Sequence, residues 1–372
     1  FPLIAIPLFI LAGSIMNSAG ISRRLIAFAS ALVGFIKGGL SMINIATSMF
    51  FAEISGSAVA DVAALGSILI PAMKKKGYPG AFAAAVTSSS ASLAIIIPPS
   101  IPMIVYAVMS QSSVVQLFVA GIIPGVIGGF FLMLAAYITA RRRNFPVEET
   151  FNLANVRKTA REAALAFLLP VIILGGIFGG VVTATEGAGL AVVASLVIGL
   201  VYGEVDFKRL YEAATEGAIQ TSSVMLLVAA SVLLGEFLTV EQLPQKIAGS
   251  IMDFTNNKYA VLAILNVFLL VIGFFLHSVA AIILTVPIVM PLVYAVGIDP
   301  VHFGIIVNLN LAIGQQTPPV ASVLATACSV AKEDIWDVTR ENLIFISVLV
   351  ILLLLVTYVP AIPMTLVEYF YR

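Results

Sequence analysis

Apolar residues run almost unbroken along this chain. FFLMLAAYITA at 130–140 and LIFISVLVILLLLVTYVPAIPM at 343–364 are two such stretches. Each approaches or exceeds the roughly 20 residues that a helix needs to cross a bilayer. Alternating ten-residue strands, the signature of a membrane β-barrel, are absent. The pattern predicts an all-α polytopic membrane protein with no soluble domain. Polar punctuation divides it into a helix over 1–16 and a surface helix over 20–38 carrying Arg23, Arg24 and Lys37. A re-entrant hairpin over 43–73 follows, then a crossing over 80–109 interrupted by Pro98-Pro99 and a return over 117–140. A polar connector over 147–162 leads to a helix pair at 163–184 and 187–203, a polar segment at 204–217 and a helix at 218–238. A second hairpin over 260–295, a crossing over 303–330 interrupted by Pro318-Pro319 and a helix over 342–362 complete the chain. Grouped by role, 1–42 holds the end of a scaffold helix and the surface helix, and 43–140 a first repeat. Residues 141–217 hold connector and scaffold helices, 218–258 a scaffold helix and an external surface helix, and 259–372 a second repeat.

The two halves share a skeleton. Pro71 and Pro291, Gly77 and Gly297, Pro98 and Pro318, and Pro99 and Pro319 are each 220 positions apart. A common offset across two Pro-Pro pairs is the mark of an internal repeat. Charge shows that the copies are inverted. KKK at 74–76 has an uncharged counterpart around Tyr294, and RRR at 141–143 has one at 361–363. Lysine and arginine in short loops mark the cytoplasmic side, so corresponding loops are expected on opposite faces of the membrane. On that topology 16 of the 19 basic residues are cytoplasmic, the exceptions being Lys246, Lys258 and Arg372.

Composition sharpens this picture. The chain is 60% hydrophobic and 10% charged over 372 residues, against about 25% charged for a soluble domain. Net charge is zero, and no nucleic-acid partner is expected. The one cysteine, Cys328, excludes an internal disulfide, and two histidines, His277 and His302, make a zinc site improbable. The opening FPLIAIPLFILAG is already helical in pattern and lacks methionine, so further N-terminal sequence is expected before it.

Adjacent prolines interrupt a helix, and carbonyls freed at membrane depth are costly unless something binds them. SSSASLAIIIPPS at 88–100 and NLNLAIGQQTPPV at 308–320 also gather small polar side chains before each break. Hydroxyls, amides and carbonyls are ligands for a hard cation. EISGSAVAD at 53–61 lies where the first hairpin must reverse. Glycine permits the turn, and Ser55 or Ser57 can cap the returning helix. Asp61 lies one turn further on the same face, and the partner of Ser57 at the 220 offset is His277. The plainer reading of Glu53 and Asp61 is hydrogen bonding inside a bundle; intramembrane acids are nonetheless functional by default. Thr185 or Glu186 reads as a helix cap. The core has no lysine or arginine at 38–73, 77–140 or 259–331. A bound anion must then be balanced by helix N-termini and co-bound cations, which favours cation-coupled uptake.

AIPLFILAGSIMNSAGISRRL, SGSAVADVAALG and GQQTPPV together resemble the large membrane subunit of TRAP (tripartite ATP-independent periplasmic) transporters, and the resemblance covers essentially the whole chain. It implies an ion-transporter-like, elevator-type fold and two Na⁺ sites. An organic-acid substrate such as a C4-dicarboxylate or a sialic acid is implied too, in a bacterial inner membrane. The implied partners are a small membrane subunit, separate or fused, and a periplasmic substrate-binding protein. Carried onto this chain, one Na⁺ site falls on Gly273, Gly314, Thr317 and Val320. The offset places the other at Glu53, Ala94, Ile97 and Ser100, with Ser55 and Ser57 close by. Substrate contacts are expected at Ser57, Asp61, Ser90 and Asn310. An intramembrane protease would give no reason for an inverted repeat. A channel, or a cation-coupled carboxylate carrier without a binding protein, is the alternative.

Overall fold

The computed structural model describes residues 2–147 and 150–371, without the side chains of Pro2 and of residues 53–55, 232, 234, 235 and 239. Its regular elements are all helical among these residues. Ahead of the first repeat lie α1 (Pro2–Ser18) and α2 (Ile21–Val33), which meet at a 71° bend at Gly20 in the left-handed region. The hairpin α3 (Gly39–Ser55) and α4 (Ala58–Lys75) follows. The broken crossing is α5 (Gly80–Ala91), a 3-10 turn at Ser92–Ile95 and α6 (Ile101–Ser110). The long α7 (Val114–Arg142) closes the repeat. Two further helices, α8 (Leu153–Phe178) and α9 (Ala184–Val201), lead to the second repeat.

Ahead of that repeat lie α10 (Phe207–Val240) and α11 (Leu243–Phe254), and its hairpin is formed by α12 (Lys258–Phe275) and α13 (Ser278–Ala295). Its broken crossing is α14 (Pro300–Gly314) with α15 (Ser322–Ala331), followed by α16 (Ile335–Tyr358) and the terminal α17 (Ala361–Tyr371). The offset read from prolines carries Ala58–Lys75 onto Ser278–Ala295 residue for residue. Both Pro-Pro bonds are cis.

The two hairpins enter from opposite ends. At about 1.5 Å per residue α7 is some 43 Å long, which separates those ends. Beside its C-terminal end, Gly38 N–H donates to Pro146 O at 3.1 Å and Lys74 Nζ meets Glu333 at 2.8 Å. Arg143 there pairs with Glu341 at 2.9 Å. Beside its N-terminal end, Tyr294 Oη donates to Ser110 O at 3.1 Å and Tyr106 Oη to Pro300 O at 2.7 Å. The base of hairpin α3–α4 thus lies at one end and that of α12–α13 at the other, which makes the repeat inverted.

Between them, α5 and α14 form the core. Residues 82–91 of α5 and 301–314 of α14 are all buried. The sequence of α5, GAFAAAVTSSSA, keeps side chains small so that neighbouring backbones approach closely. Helix α1 packs on α9 and α10, and α8 on α2 and α9, forming a flank with much apolar surface exposed. Seven helices are long and apolar enough to cross a membrane among the described residues, or eight if the bent α1–α2 pair is one span.

Some boundaries differ from expectation. The connector expected at 147–162 is helical from Leu153, and the polar segment at 204–217 is largely the first third of α10. Polar residues there occupy an exposed helix surface, so polarity marks exposure rather than irregular chain. The cap of α9 is Thr183, whose hydroxyl accepts from Glu186 N–H at 3.3 Å. Glu186 returns a carboxylate to Thr183 N–H at 2.8 Å, a capping box.

Candidate functional site

Four helix N-termini face one cavity of about 680 Å³. They belong to α4 and α13 at the hairpin tips and to α6 and α15 beyond the breaks. The chain reverses at Gly56, which sits at φ 58° and touches Pro99 O and Ser100, so a side chain there would collide. Ser57 caps α4, accepting from Ala60 N–H at 3.5 Å. Ile101 N–H donates to Gly56 O at 3.4 Å, joining the tip to the break. Ser100 Oγ donates to Ile95 O at 2.7 Å and accepts from Met103 N–H at 3.4 Å, serving both sides of the interruption. In the other repeat Val323 N–H donates to Gln315 O at 3.2 Å, and Ser322 Oγ to Gln315 Oε1 at 3.2 Å.

The offset holds within the wall itself. Ser57 and His277, Ile95 and Gln315, and Pro102 and Ser322 are pairs 220 apart, and all six residues line the cavity. No lysine or arginine is among the lining residues described. The opposite wall is α10, with Glu216, Gln220 and Ser223 among Ile219, Val224 and Leu227. Each N-terminus carries a partial positive charge. At α6 and α15 the first-turn N–H groups are largely taken up within the breaks, Ile101 by Gly56 O, Met103 by Ser100 Oγ, and Val323 and Leu324 by Gln315 O. The hairpin tips of α4 and α13 are therefore where N–H groups can meet an anion, without a lysine or arginine.

Of the expected substrate contacts, Ser57 lines the cavity. Asp61, Ser90 and Asn310 do not: all three are fully buried behind the wall. Ser90 Oγ lies 2.9 Å from Ser48 Oγ, and Asn310 Nδ2 donates to Asn266 Oδ1 at 2.7 Å. Helical spacing from Ser57 places Asp61 on a common face, but that face turns into the hairpin's packing one turn below the tip.

The residues of the second expected Na⁺ site gather where α12 crosses the break. A methyl on Gly314 would lie 2.6 Å from Gly273 Cα, so both must be glycine-small. Val320 N–H donates to Phe274 O at 3.3 Å, and Thr317 Oγ1 to Ile313 O at 3.1 Å. In the first, Ala94, Ile97 and Ser100 are buried around the break and Ser57 is at the tip. The side chains of Glu53 and Ser55 lie outside the described ones. Among the described residues no three His, Cys, Asp or Glu converge as a metal group, so the donors on offer are hydroxyl, amide and carbonyl oxygens.

Gln315, Ser322, Thr326 and the α10 wall were missed as lining residues. Ile95 and Pro102, the partners of Gln315 and Ser322 at the 220 offset, were missed with them, and nothing in the sequence marks the α10 wall.

The sequence pattern of the tripartite ATP-independent periplasmic transporter DctM component matches residues 1–362. The chain belongs to this DctM family. It is therefore a transporter component and not an enzyme. It is 43% identical over 98% of its length to the isethionate TRAP transporter permease DctMQ of Oleidesulfovibrio alaskensis, of which it spans 58%. It is 40% identical over 98% of its length to the C4-dicarboxylate TRAP transporter large permease DctM of Pseudomonas aeruginosa, spanning 86% of it. Identity is 38% over the whole chain to the sialic acid TRAP transporter large permease SiaM of Vibrio cholerae, spanning 87% of it. The crystal structure of the Alcanivorax borkumensis YdaH transporter shares the fold with a TM-score of 0.66 at 14% identity, covering 93% of this chain and 84% of that one.

Proposed function

We propose that this chain is the transport subunit of a TRAP system that takes up an organic acid with Na⁺ across a bacterial inner membrane. The observation that carries the reading is the cavity with four helix N-termini and no lysine or arginine among its described lining. The acid's charged group is held by N–H groups at the hairpin tips, where α4 and α13 begin, and the partial positive charge at the starts of α6 and α15 adds to the attraction. Na⁺ binds where carbonyls are freed at the two breaks, with Thr317 and Ser100 hydroxyls nearby, and supplies the balancing charge. Uncharged body atoms of the substrate face Ile219, Val224 and Leu227 on α10. The hairpins and broken helices move as one body past α1, α8, α9 and α10, so that the site opens to either side in turn. A small membrane subunit covers the exposed scaffold flank, and a periplasmic binding protein delivers the acid. Relatives named for isethionate, C4-dicarboxylates and sialic acid all act on small acids, and these are the first substrates to screen.

The test is uptake into proteoliposomes holding the full-length transporter with its small subunit and binding protein. Saturable uptake of one of these acids that rises with an inward Na⁺ gradient is expected. Uptake indifferent to Na⁺ overturns the coupling, and non-saturable flux overturns the carrier.

A further inference from the structure

One buried amide ties the two repeats together between the helix breaks. Gln316 Oε1 accepts from Ser88 Oγ at 2.5 Å and from Asn342 Nδ2 at 3.2 Å. Its Nε2 donates to Ser88 O at 2.8 Å and to Ser92 Oγ. Ser89 Oγ donates to Asn342 Oδ1 at 2.5 Å, extending the network along α5 to α16. All five residues are buried. Gln316 therefore uses both ends of its amide fully, in a setting where a half-satisfied amide is costly.

Its position in the chain gives the network meaning. Gln316 stands between Gly314, which presses on Gly273, and Thr317, which opens the second Pro-Pro break. Ser92 begins the 3-10 turn Ser92–Ile95 that leads into the first break. The network is not part of the repeat's shared skeleton: 220 positions earlier, Gln316 becomes Ile96 and Asn342 becomes Ile122. Packing the repeat thus does not require it. A side chain holding four bonds keeps them in one register, so a shift of the second break drags Ser92 and the turn before the first.

We infer that Gln316 is the positioning residue that makes cation occupancy at one break change affinity at the other. The inference rests on the Na⁺ coupling proposed above. It adds that the coupling between breaks runs through one asymmetric side-chain network. Coupling of this kind spans about 5–150-fold in affinity.

The test measures initial uptake against Na⁺ concentration in proteoliposomes of the full complex, for the wild type, Gln316→Met and Ser92→Ala. Gln316→Met keeps the volume and removes the bonds. Ser92→Ala removes the link from Gln316 to the first break together with the Ser92 Oγ bond to Ser88 O at 3.2 Å, leaves the Gln316–Ser88 bonds in place, and carries the test if Gln316→Met does not fold. We expect a sigmoidal wild-type curve with a Hill coefficient approaching about 2, and variant curves with a Hill coefficient near 1. The half-saturating Na⁺ concentration should rise about fivefold or more. A purely structural role lowers maximal rate and folded yield and leaves the curve's shape alone. A folded Ser92→Ala carrier with wild-type sigmoidicity overturns the inference while leaving Na⁺ coupling intact. A wild type that ignores Na⁺ overturns both.

Discussion

Ser57, Asp61 and Thr317 show how one chain assigns three polar residues to three tasks. Ser57 is at the tip and faces the cavity. Asp61 is fully buried in the first turn of α4, where a carboxylate favours the positive helix end by about 0.3–1 kcal/mol and up to about 2 when buried. We expect Asp61→Asn to insert and fold, with uptake strongly reduced and Na⁺ dependence altered but substrate range unchanged. A shifted substrate preference would mean that Asp61 reaches the substrate. Thr317 offers a hydroxyl beside carbonyls freed by Pro318-Pro319. Thr317→Ala should raise the Na⁺ concentration for half-maximal uptake severalfold, and an unmoved Na⁺ curve in vesicles would remove it from the cation site.

At the scale of the element, each crossing is a helix that stops on purpose. Helix α5 stops at Ala91 and passes into the 3-10 turn Ser92–Ile95, and Pro98 and Pro99, which lack an N–H and clash with the preceding turn, keep the chain from continuing as one helix into α6. The same chain restarts at Ser100, which caps α6 and takes up Ile95 O. Replacing Ser100 with alanine leaves that buried carbonyl without its hydroxyl donor, at about 1–3 kcal/mol. Ser100→Ala should therefore lower the melting temperature of the purified protein measurably, and lower transport more than expression. Equal thermal stability would place the demand for that hydroxyl elsewhere. The hairpins were legible as elements because EISGSAVAD carries its own turn and cap. The start of α8 was not, because a helix whose first turns are exposed has a polar sequence and resembles a connector.

Across the whole molecule, ion pairs cluster at one end. Glu204 between α9 and α10 gathers Arg23 at 2.5 Å, Arg24 at 3.3 Å and Arg209 at 3.7 Å, and Arg24 stacks 3.7 Å over the Tyr202 ring. Burial pushes the Tyr202 hydroxyl's pKa above its usual value, against the opposing pull of Arg24. Lys74–Glu333 and Arg143–Glu341 lie at the same end of α7. The rule that basic residues in short loops mark the cytoplasmic side leads us to expect that end in the cytoplasm. Cysteines placed at Lys75 and Tyr294 in a Cys328→Ser background should then be labelled by an impermeant thiol reagent from the cytoplasmic and periplasmic sides respectively. Labelling of both from one side would contradict the two-ended arrangement.

The sequence by itself determined the class, the repeat and its inversion, the hairpins and the breaks. These follow from local rules: a bilayer-length apolar run must be helical, a Pro-Pro pair must interrupt it, and basic loops choose a side. Family membership was legible for the same reason, in SGSAVADVAALG and GQQTPPV. Only the tertiary structure decided which polar residues line the cavity. Ser57, Ser90, Asp61 and Asn310 share small size and polarity, and nothing local separates a residue facing the cavity from one paired across a helix interface. Ser90 meets Ser48 on α3, and Asn310 meets Asn266 on α12. Such pairings join residues more than 40 positions apart. They depend on how closely two backbones approach, which is settled by packing and not by the spacing along either helix.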